Sequence, residues 1–335
     1  LETFPGQKVT LFNALTSRDP ADLVRYIISR PEAPALLENE RLEPLVDWKL
    51  GQSSLAQGLH IQTRGALKEK RREEARWELI QTAPLLELLE ATAALKPKAL
   101  KGLDFRTRLY PPATRTAFDI DLYLERHKFT EFAQTAEKLG WRLATRGAFG
   151  RMLWRRWNHL VWVKGRTILE VHYALTAPGR YNAAYRFGGD PIPLDLQGIT
   201  LWVPQKEEAA LFSLVHLCGN HFFAPHLLSV YDIWLLSPEL DWCKLFGLAR
   251  RAGLERTVSF ALAYLRNYPT LKKRIPPGEP LKPGRIGKRF LKQSPQRVQT
   301  RSRLLGLYLA DPPYRGLTYL LGHLWNRFIS HKRQA

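Results

Sequence analysis

The segment TAFDIDLYLE, residues 116–125, decides how the rest of the chain is read. Its apolar residues alternate as in a β-strand, and in a strand residues i and i+2 point to the same side. Asp119 and Asp121 therefore share one face, while Phe118, Ile120 and Leu122 share the other. Aspartate is depleted in strands because it packs poorly and resists desolvation. Two of them on one face, about 7 Å apart, also repel each other. A divalent cation compensates both costs. Mg²⁺ prefers oxygen ligands and is commonly held by one or two carboxylates plus substrate phosphates.

A second segment repeats the pattern. In TILEVHYAL, residues 167–175, Ile168, Glu170 and His172 share one face of an alternating strand. A lone Asp-x-Asp is common surface decoration, but here acids interrupt two apolar strands. If the strands are neighbours, Asp119, Asp121 and Glu170 form one cluster. Three carboxylates can hold two ions roughly 3.5 to 4 Å apart, the clamp used in in-line phosphoryl chemistry.

Around these strands the texture changes along the chain. Residues 1–96 read as a helical region. In PADLVRYIISR, Leu23, Val24, Ile27 and Ile28 fall on one helical face. The mixed-sign stretch KEKRREEARWEL pairs Lys70 with Glu74 at i,i+4 and reads as a solvated helix face. Residues 97–190 read as a small α/β core. There FTEFAQTAEKLG forms a helix stopped by Gly140, and a Lys-Gly turn at 164–165 makes a hairpin of HLVWV and TILEVH. Residues 177–205, rich in Gly, Pro and Asp, read as a connecting loop. Residues 191–270 carry a helical bundle, and 271–335 a basic linker with a C-terminal amphipathic helix. The predicted fold class is α+β.

The 335 residues carry 51 Lys and Arg against 31 Asp and Glu, a net charge of +20. Between Lys272 and Arg303 there are eleven basic residues and one acid, Glu279. Such a surplus points to a polyanion: nucleic acid, nucleotide phosphates or an anionic membrane surface. No apolar run nears the roughly 18 residues needed to cross a bilayer. No signal peptide is recognisable, and two isolated cysteines, Cys218 and Cys243, fit a reducing setting; a cytoplasmic location is expected. No P-loop, dinucleotide fingerprint or nucleophile elbow is present.

Taken together, LKGLDFRTRLYPPATRTAFDIDLYLE, TILEVHYAL, LFSLVHLCGNHFFAPHLLSVYDIWLL and DWCKLFGLARRAGLERTVSFAL resemble a largely uncharacterised bacterial family of nucleotidyltransferases. That family lies within the DNA polymerase β-like superfamily, and the resemblance spans roughly residues 40–270. It implies a polymerase β-like sheet with flanking helices and transfer of a nucleoside monophosphate from an NTP. Asp119 and Asp121 match the metal-binding aspartates, and Glu170 the third catalytic carboxylate. Two Mg²⁺ ions are implied, with Mn²⁺ as an alternative. Lys101 and Gly102 match the phosphate-cradling Gly-Ser turn, but Leu103 follows where a serine is expected. Lys101 or Arg115 supplies charge instead, and His172 either orients Glu170 or contacts phosphate.

Other residues admit two readings. His216, His221 and His226 are spaced by five, which does not put ligands on one helical face, so helix-end histidines compete with substrate contact by His216 or His221. Asp232 is either a buried hydrogen-bonded acid or faces the cleft. RMLWRRWNHLVW interleaves arginine with tryptophan, either for packing or for stacking on single-stranded nucleic acid. The acceptor hydroxyl belongs to RNA such as tRNA, a protein or a small molecule. Two rival readings are a catalytically inactive nucleic-acid-binding protein on the same fold, and peripheral anchoring of the basic tail to anionic membrane.

Overall fold

Proline and aspartate punctuate the start of the chain into helices. In a computed structural model, described over residues 5–53, 57–144, 159–175, 185–219 and 227–277, these are α1 (Pro5–Thr16), α2 (Pro20–Ser29), α3 (Ala33–Glu40) and α4 (Glu43–Gly51). Pro20 begins α2, where its missing N–H costs nothing, and the Asp19 carboxylate accepts from Ala21 N–H at 2.8 Å. Leu23, Val24 and Ile27 are buried as expected. Ile28 is not: it is 61% exposed, and Tyr26 completes the buried stripe instead.

The mixed-sign stretch KEKRREEARWEL lies within one long helix, α5 (Ile61–Ala91), which runs through Pro84. Its charged first half is not merely a solvated face. Glu74 is 5% exposed, and Lys70 pairs with Glu73 at 3.0 Å rather than with Glu74.

The sheet follows. Its strands are β1 (Lys98–Leu100), β2 (Ile120–Tyr123), β3 (Arg142–Leu143), β4 (His159–Lys164), β5 (Thr167–His172), β6 (Ile192–Leu196) and β7 (Ile199–Val203). Their order is β3-β4-β5-β2-β1-β7-β6, with β2–β5 and β1–β7 parallel and the other pairs antiparallel. The fold is thus α+β, with a mixed sheet of seven strands among the described residues. The stretch read as a connecting loop contains the β6–β7 hairpin, which turns at Gln197 and Gly198, both at positive φ. Alternation in IPLDL is weakened by Pro193 and Asp195, which explains why it did not read as a strand.

Helix α6 (Lys101–Leu109) follows β1 directly, and α7 (Phe129–Lys138) ends before Gly140 at φ +83°, as the sequence indicates. The bundle comprises α8 (Lys206–Gly219), α9 (Leu227–Leu236), α10 (Trp242–Ala252) and α11 (Glu255–Leu265), followed by the single turn α12 (Pro269–Lys272). Sheet and bundle share one apolar core whose largest fully buried side chains include Trp141, Trp162, Phe105, Phe132 and Phe212. The sheet face bearing His172 meets α8 through the Phe212 ring, 5.4 Å from the imidazole. His221, His226, the residue 151–158 part of the Arg/Trp motif, and residues 278–335, with most of the basic linker and the C-terminal helix, lie outside the described residues.

Candidate active site

The parallel pairing of β2 with β5 sets Asp121 directly beside Glu170, and Tyr123 beside His172. Asp119 sits one residue before β2 and joins them. One oxygen from each of Asp119, Asp121 and Glu170 lies within 4.8 Å of the others. The three open onto a cavity of about 450 Å³, also lined by Lys101, Gly102, Arg115, His216 and Asp232. The sequence-predicted residues within the described part of the chain therefore converge, with His172 just behind the cavity wall at 1% exposure.

Phe118 departs from the strand reading. The chain is not yet in the sheet at that point, so its ring is 49% exposed and carries the Arg41 guanidinium 4.5 Å above it. The loop that delivers Asp119 is instead fixed from outside. Trp77 Nε1 and Gln81 Nε2 donate to the Ala117 carbonyl at 3.1 and 3.3 Å, and Gln81 also reaches the Phe118 carbonyl at 3.2 Å. The Glu74 carboxylate accepts from Ala117 N–H and that of Glu78 from Ala113 N–H. Helix α5 thus satisfies the backbone groups that an irregular buried loop leaves open.

A second brace comes from the bundle. Arg115 donates from Nε and Nη2 to the two oxygens of Asp232 at 2.9 and 2.7 Å, and Tyr110 Oη donates to the same carboxylate at 2.8 Å. Asp232 combines both of its readings: it is a buried, hydrogen-bonded acid, and it also lines the cavity. Burial disfavours the Arg115 charge, but Asp232 outweighs it and raises the guanidinium pKa. Arg115 also backs the start of α6. A Cβ on Gly102 would stand 3.1 Å from both Arg115 Nη1 and the Ala117 Cβ, so only glycine fits there comfortably. Lys101 precedes it at φ +40°, in the left-handed region that favours glycine.

The electrostatics are uneven. Burial and the charge of Asp121 push the Asp119 carboxyl up, against the pull of Lys101. Burial works against the charge of Asp121 too. There, however, Lys101 Nζ at 2.7 Å and His172 Nε2 at 2.8 Å prevail and hold its carboxyl well below the usual range. Lys101 Nζ also donates to His216 Nε2 at 3.2 Å. Glu170 is likewise held down: the His172 hydrogen bond offsets the effect of burial. Residues the sequence reading missed stand alongside. His159 Nε2 lies 3.8 Å from Glu170, and burial together with the charge of His172 lowers its pKa. The hairpin register about the Lys-Gly turn pairs His159 with His172, so counting back from that turn would have found it. Arg41 and Ser213 also line the cavity and carried no sequence signal.

The chain belongs to the family described as uncharacterised nucleotidyltransferase, whose profile matches residues 31–268. Two solved structures of ANT(2'')-Ia are similar to it at 16% identity. The crystal structure in complex with adenylyl-2''-tobramycin has a TM-score of 0.37, covering 51% of this chain and 95% of that one. The solution structure, also at 0.37, covers 58% and 97%. No curated protein matches the chain.

Proposed function

We propose that the protein transfers a nucleoside monophosphate from an NTP to an acceptor hydroxyl, with Asp119, Asp121 and Glu170 holding Mg²⁺. The observation that carries this reading is the gathering within 4.8 Å of three carboxylates, two on adjacent parallel strands and Asp119 on the loop just before one of them. The donor set suits a hard cation: all three ligands are carboxylates, and the like-charge pressure on Asp119 is what a cation relieves. When bound, such ions neutralise triphosphate charge and acidify the acceptor hydroxyl.

The chain's own residues supply the rest. Asp119 and Asp121 would hold the ions that meet the triphosphate, and Glu170, beside the imidazoles of His159 and His172, would take the acceptor proton. The acceptor oxygen bonds to the α-phosphorus, the bond to the β-phosphate oxygen breaks, and pyrophosphate leaves. Most of the acceleration in this scheme is positioning and charge neutralisation. The net charge of +20 supports an anionic acceptor such as tRNA, engaged through residues 272–303. The two buried braces on the Asp119 loop fit a site that must hold its acids rigidly.

One observation favours a second reading, an inactive nucleic-acid-binding protein on this fold: Lys101 already neutralises Asp121. The test is incubation with each α-³²P-labelled NTP, Mg²⁺ and separate tRNA, protein and small-molecule fractions. Label passing to one fraction with wild type but not with Asp119→Asn supports transfer. Retained tRNA binding with no label transferred from any NTP supports the second reading.

A further inference from the structure

Lys101 is placed where two demands conflict. Its ammonium lies 2.7 Å from Asp121 Oδ1, an oxygen that also takes the His172 hydrogen bond, so the carboxylate meant for a cation already has one. The same ammonium touches His216 Nε2 on α8 and lies 5.4 Å above the Phe212 ring. Its side chain is 13% exposed and edges the cavity. It springs from the first residue of α6, where Gly102 and Leu103 follow, so the start of this helix brings no hydroxyl to the cavity.

Helix α8 offers that hydroxyl from elsewhere. Ser213 lies one helical turn before His216, and i,i+3 residues share a face. Both line the cavity, and Ser213 Oγ is buried with no hydrogen-bond partner among the described residues. A buried hydroxyl without a partner is uncommon in a folded chain. Here it faces the one cavity that also holds the acids.

We propose that Lys101 is an exchangeable counter-ion: it rests on Asp121 in the free protein and turns to the triphosphate when a metal–nucleotide complex binds, where Ser213 joins it as the phosphate-binding hydroxyl. This rests on the nucleotidyl-transfer reading. It follows that the free protein binds a divalent ion poorly by itself, because an ammonium and a dication compete for Asp121. The ion enters only with a nucleotide, whose phosphates give Lys101 a new partner. Metal-only occupancy of the site, which would promote unproductive chemistry on water, is thereby kept low.

The experiment is Mn²⁺ binding, followed by electron paramagnetic resonance, with and without the α,β-imido analogues of the four ribonucleoside triphosphates. Wild type should bind Mn²⁺ weakly alone and strongly with an analogue. Lys101→Met should bind Mn²⁺ alone at least tenfold more tightly and the Mn²⁺–analogue complex at least tenfold more weakly. Ser213→Ala should weaken the complex several-fold and leave Mn²⁺ alone unchanged. Circular dichroism melts confirm that each variant is folded, and Lys101→Arg, which keeps the charge, gives a second measure should the Met variant unfold: its Mn²⁺-only affinity should stay as weak as wild type. If Lys101→Met leaves both affinities unchanged, or weakens both, the exchange is wrong although the transfer reading survives. If wild type binds no analogue complex, or Asp119→Asn binds it as well as wild type, the transfer reading itself fails and this inference with it.

Discussion

Changing Asp232 to asparagine leaves the buried Arg115 guanidinium without its countercharge. The pair is 8% and 4% exposed, bidentate, and shares its carboxylate with Tyr110. Removing one member of such a pair costs about 3–5 kcal/mol, because the survivor stays desolvated and unpaired. For a domain of this size each kcal/mol lowers Tm by roughly 2 °C, so the expected loss is roughly 6–10 °C. Differential scanning calorimetry at neutral pH reads this directly. The effect should not stay local, since Arg115 backs Gly102 and the start of α6. The double variant Arg115→Met with Asp232→Leu removes both charges and fills the space with apolar atoms, so it should melt above either single variant. A loss below about 1 kcal/mol for Asp232→Asn, or a double variant no better than the worse single, would show that the pair is not the brace described.

Other expectations are narrower. Gly102→Ala forces a methyl to 3.1 Å from Arg115 and Ala117 and should cost about 1–3 kcal/mol by urea denaturation; an unchanged midpoint would mean the α6 turn has slack. Asp119→Asn should abolish Mn²⁺–nucleotide binding yet leave Tm equal or higher, because it relieves burial and the charge of Asp121; a lower Tm contradicts this. Glu74, lifted by burial to about 7, holds its proton in the native state up to near neutral pH, whereas the unfolded chain releases it near 4.5. Stability should therefore fall as pH rises from about 4.5 to about 7, by at most about 3 kcal/mol from this group. Glu74→Gln should flatten that part of the stability–pH curve, and an equally steep curve would assign the slope to other groups. Gln81→Ala removes its own hydrogen bonds to the Ala117 and Phe118 carbonyls, leaving Trp77 on the first, and should cost about 1–3 kcal/mol, measured by the same denaturation.

The acids were legible because a two-residue period forces Asp121, Glu170 and His172 onto one face once their strands pair. Pairing in register then needed only the hydrophobic alternation around them. The elements that hold those acids were less legible for a consistent reason. Glu74 and Glu78 read as solvent-facing because their partners are backbone amides of Ala117 and Ala113, some forty residues away and unmarked by side-chain type. Phe118 was set on one strand face with Ile120 and Leu122 because the alternation begins two residues before the ladder does. Arg115 and Asp232 were both noticed, yet nothing local says that two charges 117 residues apart neutralise each other. The β6–β7 hairpin hid behind Pro193 and Asp195, although Gln197-Gly198 was a fair turn signal.

The grip of α5 on the Asp119 loop sets a lower limit on what can be cut away. A fragment beginning at β1 keeps every strand and all three acids, but it exposes the amides of Ala113 and Ala117 and the carbonyls of Ala117 and Phe118 that α5 now satisfies. Such a fragment would retain the chemistry's ingredients and lose their alignment. In this protein the leading helices are not an appendage to the sheet but half of the vice in which its first aspartate is clamped.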